Sequence, residues 1–74
     1  MLLKVGQIWK ENDNRFDRKI EIIGFKPGMK RSVIIKTIYN TIPHSKQEFK
    51  IGKITCADAT RFNGKSGGYS YFAN

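Results

Sequence analysis

Val5-Gly6-Gln7-Ile8-Trp9, then Glu11-Asn12-Asp13-Asn14-Arg15, then Arg18-Lys19-Ile20: the reading of this stretch decides the fold class. Lys4 to Lys10 alternates with period two. Val5, Gln7 and Trp9 fall on one face and Gly6 and Ile8 on the other, the pattern of a strand. Trp9 and Ile8 therefore cannot face one core, and Gly6 allows a close backbone approach or a bulge. Residues 11–15 hold three Asx side chains, which bond to their own backbone and so build a turn. Strand, Asx turn, strand: the chain opens with a hairpin.

The same pattern continues outward. Arg18 to Phe25 is rich in β-branched residues, with Ile20 and Ile22 on one face, Glu21 and Ile23 on the other, and Gly24 as an expected bulge. Lys26-Pro27-Gly28-Met29 is a turn, since proline presets φ and glycine accepts a positive one. Arg31 to Tyr39 is the third strand, paired with the second across Pro27-Gly28. Asn40 to Gln47, with Pro43 and His44, has no periodicity and reads as a loop. Phe49 to Cys56 fits a fourth strand bent at Gly52. Ala57 to Phe62 fits one helical or 3-10 turn. Asn63-Gly64-Lys65-Ser66-Gly67-Gly68 reads as a flexible loop, and Tyr69 to Phe72 as a short aromatic strand.

Five short strands with one helical turn before the last give an all-β chain, laid out as a small SH3-like barrel over residues 1–74. Curling the sheet shut would hide edges that so short a β chain otherwise exposes. An OB-type barrel is the next candidate, weakened by the missing helix between strands three and four.

The 74 residues are expected to form one domain, whose core supplies only roughly 3–5 kcal/mol and leaves little room for a buried catalytic cleft. The single cysteine, Cys56, excludes an intrachain disulfide and a cysteine-based zinc site, and suits a reducing compartment. Lys4 and Gln7 interrupt the apolar start before a secretory segment forms, and no run approaches a membrane span, so a cytoplasmic location is expected. Lys plus Arg outnumber Asp plus Glu by 14 to 6, a formal net charge of +8. So much charge on so small a surface favours DNA, RNA or an acidic protein surface as partner. Solubility alone is the plainer reading of the same charge.

Taken together, Gly6-x-x-Trp9, the Asp13-x-Arg15 turn, Arg18 opening the second strand, Arg61-Phe62 and Gly68-Tyr69 resemble a diffuse group of small phage and prophage proteins. The similarity spans most of the chain through short motifs. It implies a phage-like origin and a small β-barrel, with no activity attached. The stretch Asn40 to Lys50 departs from the compact form that the resemblance implies.

Each candidate site residue has a functional and a structural reading. Arg15 can reach a phosphate or an acidic partner with Asp13 orienting it; alternatively Arg15 or Arg18 pairs with Asp13 to pin the first hairpin, and the Asx-turn mechanism favours this second reading. Lys26, Lys30 and Arg31 flank Pro27-Gly28 with Met29 between them, either a basic hairpin tip that follows a phosphate backbone or a solvated turn with edge-blunting lysines. Of the aromatic residues, Trp9, Phe49, Phe62 and Tyr71 are expected in the core, while Phe16 and Tyr69 are the better candidates for exposed contacts. Gly64-Lys65-Ser66-Gly67-Gly68 lacks the spacing of a phosphate-binding loop. His44 has no catalytic partner pattern, Cys56 reads as a small core filler, and the six carboxylates are scattered.

No enzyme and no cofactor is expected from these residues. The leading reading is a nucleic-acid-binding module that uses Arg15, Arg18, Lys26, Lys30 and Arg31 on backbone phosphates. The alternative is a protein-interaction module that modulates a host or anti-phage defence protein through Met29, Phe16, Tyr39 or an edge strand. Either a monomer or a homodimer is compatible with a core of this size.

Overall fold

A computed structural model describes residues 2–13, 17–41 and 50–74. Five antiparallel strands form one sheet: β1 (Ile8–Glu11), β2 (Arg18–Phe25), β3 (Val33–Asn40), β4 (Ile54–Ala57) and β5 (Tyr69–Ala73). A single 3-10 turn, Ala59–Arg61, precedes β5. The strand order is β4-β3-β2-β1-β5, so β1 lies between β2 and β5 while β4 and β5 form the edges. Among the described residues, no pairing joins β4 to β5. The all-β expectation and the 3-10 turn before the last strand are met.

Alternation puts Trp9, Ile20, Ile22, Val33, Ile35, Ala57 and Tyr69 on the inner face, where they form the buried core. Leu3 and Phe62 pack against them. Burying side chains such as these contributes roughly 1.5–3 kcal/mol each, so a few contacts carry much of the stability of so short a chain. Trp9 is the hub: its ring meets Phe62 edge-on at 5.1 Å and Tyr71 edge-on at 5.6 Å, and its indole N–H donates to Gln7 Oε1 at 3.2 Å.

Three register shifts bend the sheet. Ile23 is an extra residue on β2, between the Ile22–Ile35 and Gly24–Ile34 pairs. Ile38 is an extra residue on β3, and Phe72 one on β5 beside Ile8 and Trp9. A bulge strengthens local twist and re-aims its side chain, so each shift helps the inner face wrap the core. The bulge expected at Gly24 falls next to it, on Ile23. The Pro27-Gly28 hairpin forms as read, with Gly28 at φ 85° and the Met29 amide donating to the Lys26 carbonyl at 3.4 Å.

Two strands are shorter than the periodicity implied. β1 starts at Ile8 rather than Lys4, because Gly6 takes φ 96° and turns the chain. The Gly6 amide nevertheless donates to the Ile22 carbonyl at 2.8 Å, continuing the edge of the pairing. β4 starts at Ile54 rather than Phe49. Gly52, at φ 91°, makes the expected bend and donates its amide to the Thr37 carbonyl at 2.7 Å. Phe49 and most of the loop around Pro43 and His44 lie outside the described residues.

The main departure concerns two charged residues. Glu11, read as the start of the polar loop, is the last residue of β1 and is buried beside Trp9 on the inner face. Arg18, read as a binding residue, is only 2% exposed. Its Nη1 donates to Glu11 Oε1 at 2.5 Å, and Nε and Nη2 donate to Thr37 Oγ1 at 3.1 and 2.8 Å. One guanidinium thus ties β1, β2 and β3 together. The carboxylate that Arg18 binds across the hairpin is that of Glu11; the expected Arg15–Asp13 pairing lies outside the described residues.

Removing one member of a buried ion pair strands the other, at a cost of about 3–5 kcal/mol. Arg18→Ala is therefore expected to leave the chain largely unfolded in water. The combined variant Glu11→Leu, Arg18→Met, Thr37→Val, which replaces the whole network by apolar groups, is expected to recover most of that loss. Urea unfolding followed by circular dichroism measures both; a loss below about 1 kcal/mol for Arg18→Ala, the range of an exposed pair, contradicts a buried role.

Candidate anion-binding cleft

The β2–β3 hairpin tip and the 3-10 turn approach each other over the end of the inner face. The cleft between them, about 660 Å³, is lined by Arg18, Lys30, Arg31, Asp58, Arg61 and Tyr69, together with Ile35, Thr55 and Cys56. Four cationic side chains and one carboxylate therefore surround one space. Arg18 forms its floor and is already committed to Glu11 and Thr37. Lys30 and Arg31 are exposed at the rim.

Arg61 is held in place from two sides. Its Nε and Nη2 donate to the Gly67 carbonyl at 3.3 and 3.1 Å, and its guanidinium carbon lies 4.6 Å from the centre of the Tyr69 ring. Tyr69 in turn stacks on Phe62 at 4.9 Å. Arg61-Phe62 and Gly68-Tyr69, at either end of the 63–68 loop, are thus one packed unit. Gly68 has to be glycine there, since a Cβ would lie 2.3 Å from the Arg61 carbonyl oxygen. Stacking on a ring while bonding a carbonyl uses only part of the guanidinium's donor set and orients the rest.

The loop 63–68, read as flexible, is fastened at several points. Asn12 donates its amide to the Gly68 carbonyl at 2.9 Å and its Nδ2 to the Lys65 carbonyl at 3.0 Å. Ser70 Oγ donates to Asn12 Oδ1 at 3.0 Å, and the Lys65 amide donates to Asn63 Oδ1 at 2.8 Å. Asn12, an Asx residue of the first turn, thus serves the last loop, a long-range role that local turn chemistry does not announce.

Asp58 caps the 3-10 turn, its Oδ1 accepting from the Thr60 amide at 3.0 Å and the Thr60 hydroxyl at 2.9 Å. These bonds, followed by the charges of Lys30 and Arg31, hold its carboxyl below the ordinary 3.8. The same electrostatic coupling links the hairpin tip to the turn across the cleft.

In comparisons with known proteins, no family model, curated protein or solved structure matches this chain.

Of the residues read from the sequence as binding candidates, Arg18, Lys30, Arg31 and Tyr69 line this cleft. Lys26 and Met29 are exposed on the same hairpin, outside the lining. Arg15 and Phe16 lie outside the described residues. Tyr69 is not an exposed contact: it is 1% exposed, covered by Phe62 and Arg61. Tyr71, expected in the core, shares its inward parity but remains partly exposed near the Gly6 turn, its hydroxyl bonded to Asn74. Cys56 is half-buried, and Ala57 takes the core position instead. Arg61 was missed. The signal was its place at the end of the 3-10 turn, followed by Phe62.

Asp58→Asn keeps an oxygen to accept from Thr60 and removes the negative charge. At pH 7 it is expected to tighten binding of a phosphate-bearing probe roughly two- to fivefold, the scale of one exposed charge pair. Because the wild-type carboxyl titrates below 3.8, the two proteins should differ at every pH above that value and converge as pH falls through the lowered one. The sign for stability is the same: the ionised carboxylate's contribution is full above pH 3.8 and is lost on further acidification. Isothermal titration from pH 7 down through pH 3 checks the binding, and thermal unfolding followed by circular dichroism over the same range checks the stability.

Proposed function

We propose that this chain is a nucleic-acid-binding module that grips backbone phosphates at the cleft between the β2–β3 hairpin and the 3-10 turn. The observation that carries the reading is the convergence of Lys30, Arg31 and Arg61 around one carboxylate, over a floor cation already neutralised within the core. A phosphodiester oxygen suits such a space. Arg61 is oriented by Gly67 and Tyr69, and the rim residues are free to adapt in length. Lys26, exposed on the same hairpin, adds a further positive charge to that element. Phosphate contacts of this kind position a strand without reading its sequence, so the expected preference among sequences is weak. In architecture we read the bent sheet as a partly open SH3-like barrel, with β4 and β5 at its mouth.

With three phosphates neutralised by Lys30, Arg31 and Arg61, log K for duplex DNA is expected to fall against log salt with a slope of roughly −3. Arg31→Ala should flatten that slope by about 1 and weaken binding of all sequences alike. Fluorescence anisotropy at several salt concentrations measures this. A flat salt response, or no binding at low salt, counts against the proposal.

A second reading has its own support. Phe25 and Met29 are exposed large apolar residues on the same hairpin as Lys26 and Lys30, a mixture that also suits an acidic protein surface, such as that of a host or anti-phage defence protein. Association with a protein target that survives nuclease treatment and is lost in Met29→Asp would favour it.

A further inference from the structure

The outer face of the sheet carries a second arrangement of charge and rings, remote from the cleft lining. Lys10 on β1 and Lys19 on β2 are direct cross-strand partners. Like charges directly opposite one another destabilise a sheet. Lys19 is eased by Asp17, whose Oδ2 lies 3.0 Å from its ammonium, while Lys10 remains exposed to solvent. The Lys19 ammonium also sits 4.5 Å from the centre of the Tyr39 ring and 4.9 Å from that of Phe72. Both rings are open to solvent, Tyr39 44% and Phe72 54% exposed. Phe72 is there because the β5 bulge re-aims it.

We propose that this face binds single-stranded nucleic acid, two bases stacking on Tyr39 and Phe72 while the phosphate between them rests against Lys10 and Lys19. The occupant follows from the pattern of the patch. Two exposed flat rings flank a cationic pair in which Asp17 neutralises Lys19 while Lys10 pairs with no carboxylate among the described residues, which is the complement of a chain alternating aromatic faces with negative charges. A duplex does not fit this face, since its bases are stacked on each other and offer no free faces. The inference rests on the nucleic-acid reading above but uses different residues, so the two can fail separately.

The test is anisotropy with three labelled probes: a short oligothymidylate, an abasic strand of equal length, and a duplex. The base-bearing strand is expected to bind at least tenfold more tightly than the abasic one. Tyr39→Ala and Phe72→Ala should each lose about tenfold for it, within the range for one stacked base, and nothing for the duplex. Tyr39→Phe and Phe72→Tyr should restore binding. If the alanine variants do not fold by circular dichroism, the wild-type comparison of base-bearing and abasic strands decides by itself. Equal affinity for those two strands, with duplex binding intact, overturns this inference alone; absence of binding to all three at low salt overturns the cleft reading with it. Self-association abolished by Phe72→Ala would make a second copy the occupant and overturn it as well.

Discussion

The Arg18 guanidinium, buried between Glu11 and Thr37, is the interaction on which the rest of the sheet depends. A buried cation is costly unless its charge is paired and its hydrogens are accepted, and here the carboxylate takes Nη1 while one hydroxyl takes both Nε and Nη2. The three members of this network, Glu11, Arg18 and Thr37, come from three neighbouring strands of the sheet, β1, β2 and β3. A one-residue slip in any of them would turn its member to the outer face and leave the others unpaired. Apolar contacts among Trp9, Ile20, Ile22 and Ile35 supply the driving force for collapse but tolerate more than one arrangement. The polar network discriminates between those arrangements.

That network also divides the cations of the chain by task. Arg18 closes the floor of the cleft with its charge already spent inside the core. Arg61 is fixed by a carbonyl and a ring, Lys30 and Arg31 reach in from the opposite hairpin, and Lys10 and Lys19 share the outer face. These six described cations thus fall into two groups, one at the cleft and one on the outer face. One group surrounds a single carboxylate, Asp58, and the other stands beside exposed rings. Both depend on bends in the chain. The Pro27-Gly28 turn carries Lys30 and Arg31 to the cleft, and the β5 bulge opens Phe72 to solvent.

Much of the fold was legible because alternation and turn chemistry are local. β2 was bounded as read by its run of isoleucines and the hairpin by Pro27-Gly28, while the 3-10 turn was placed by its lack of strand pattern but is shorter than read, since Ala57 ends β4 in the core. The strand starts were less legible, because a period-two pattern runs on through Gly6 and Gly52, whose positive φ ends the regular strand. Glu11 was misread because charge suggested the loop, although its parity with Gln7 and Trp9 placed it inward, and Arg18 shared the parity of Ile20 and Ile22. Tyr69 and Tyr71 have equal parity and opposite exposure. What separates them is the cover supplied by Phe62 and Arg61, which no local pattern records. Lys30, Arg31 and Arg18 were recognisable as cations from the sequence, but their convergence on Arg61 and Asp58 is a product of tertiary structure.

The division between the buried Arg18 guanidinium and those proposed to bind phosphate can be observed directly. Arginine side-chain 1H–15N spectra, recorded alone and during titration with a short DNA duplex, report each Nε–H separately. The expected result is an Arg18 signal that exchanges slowly with solvent and barely moves, while those of Arg31 and Arg61 shift together as DNA is added. An Arg18 Nε–H that exchanges as fast as that of Arg31 and shifts with it would contradict the buried network and the cleft built on it.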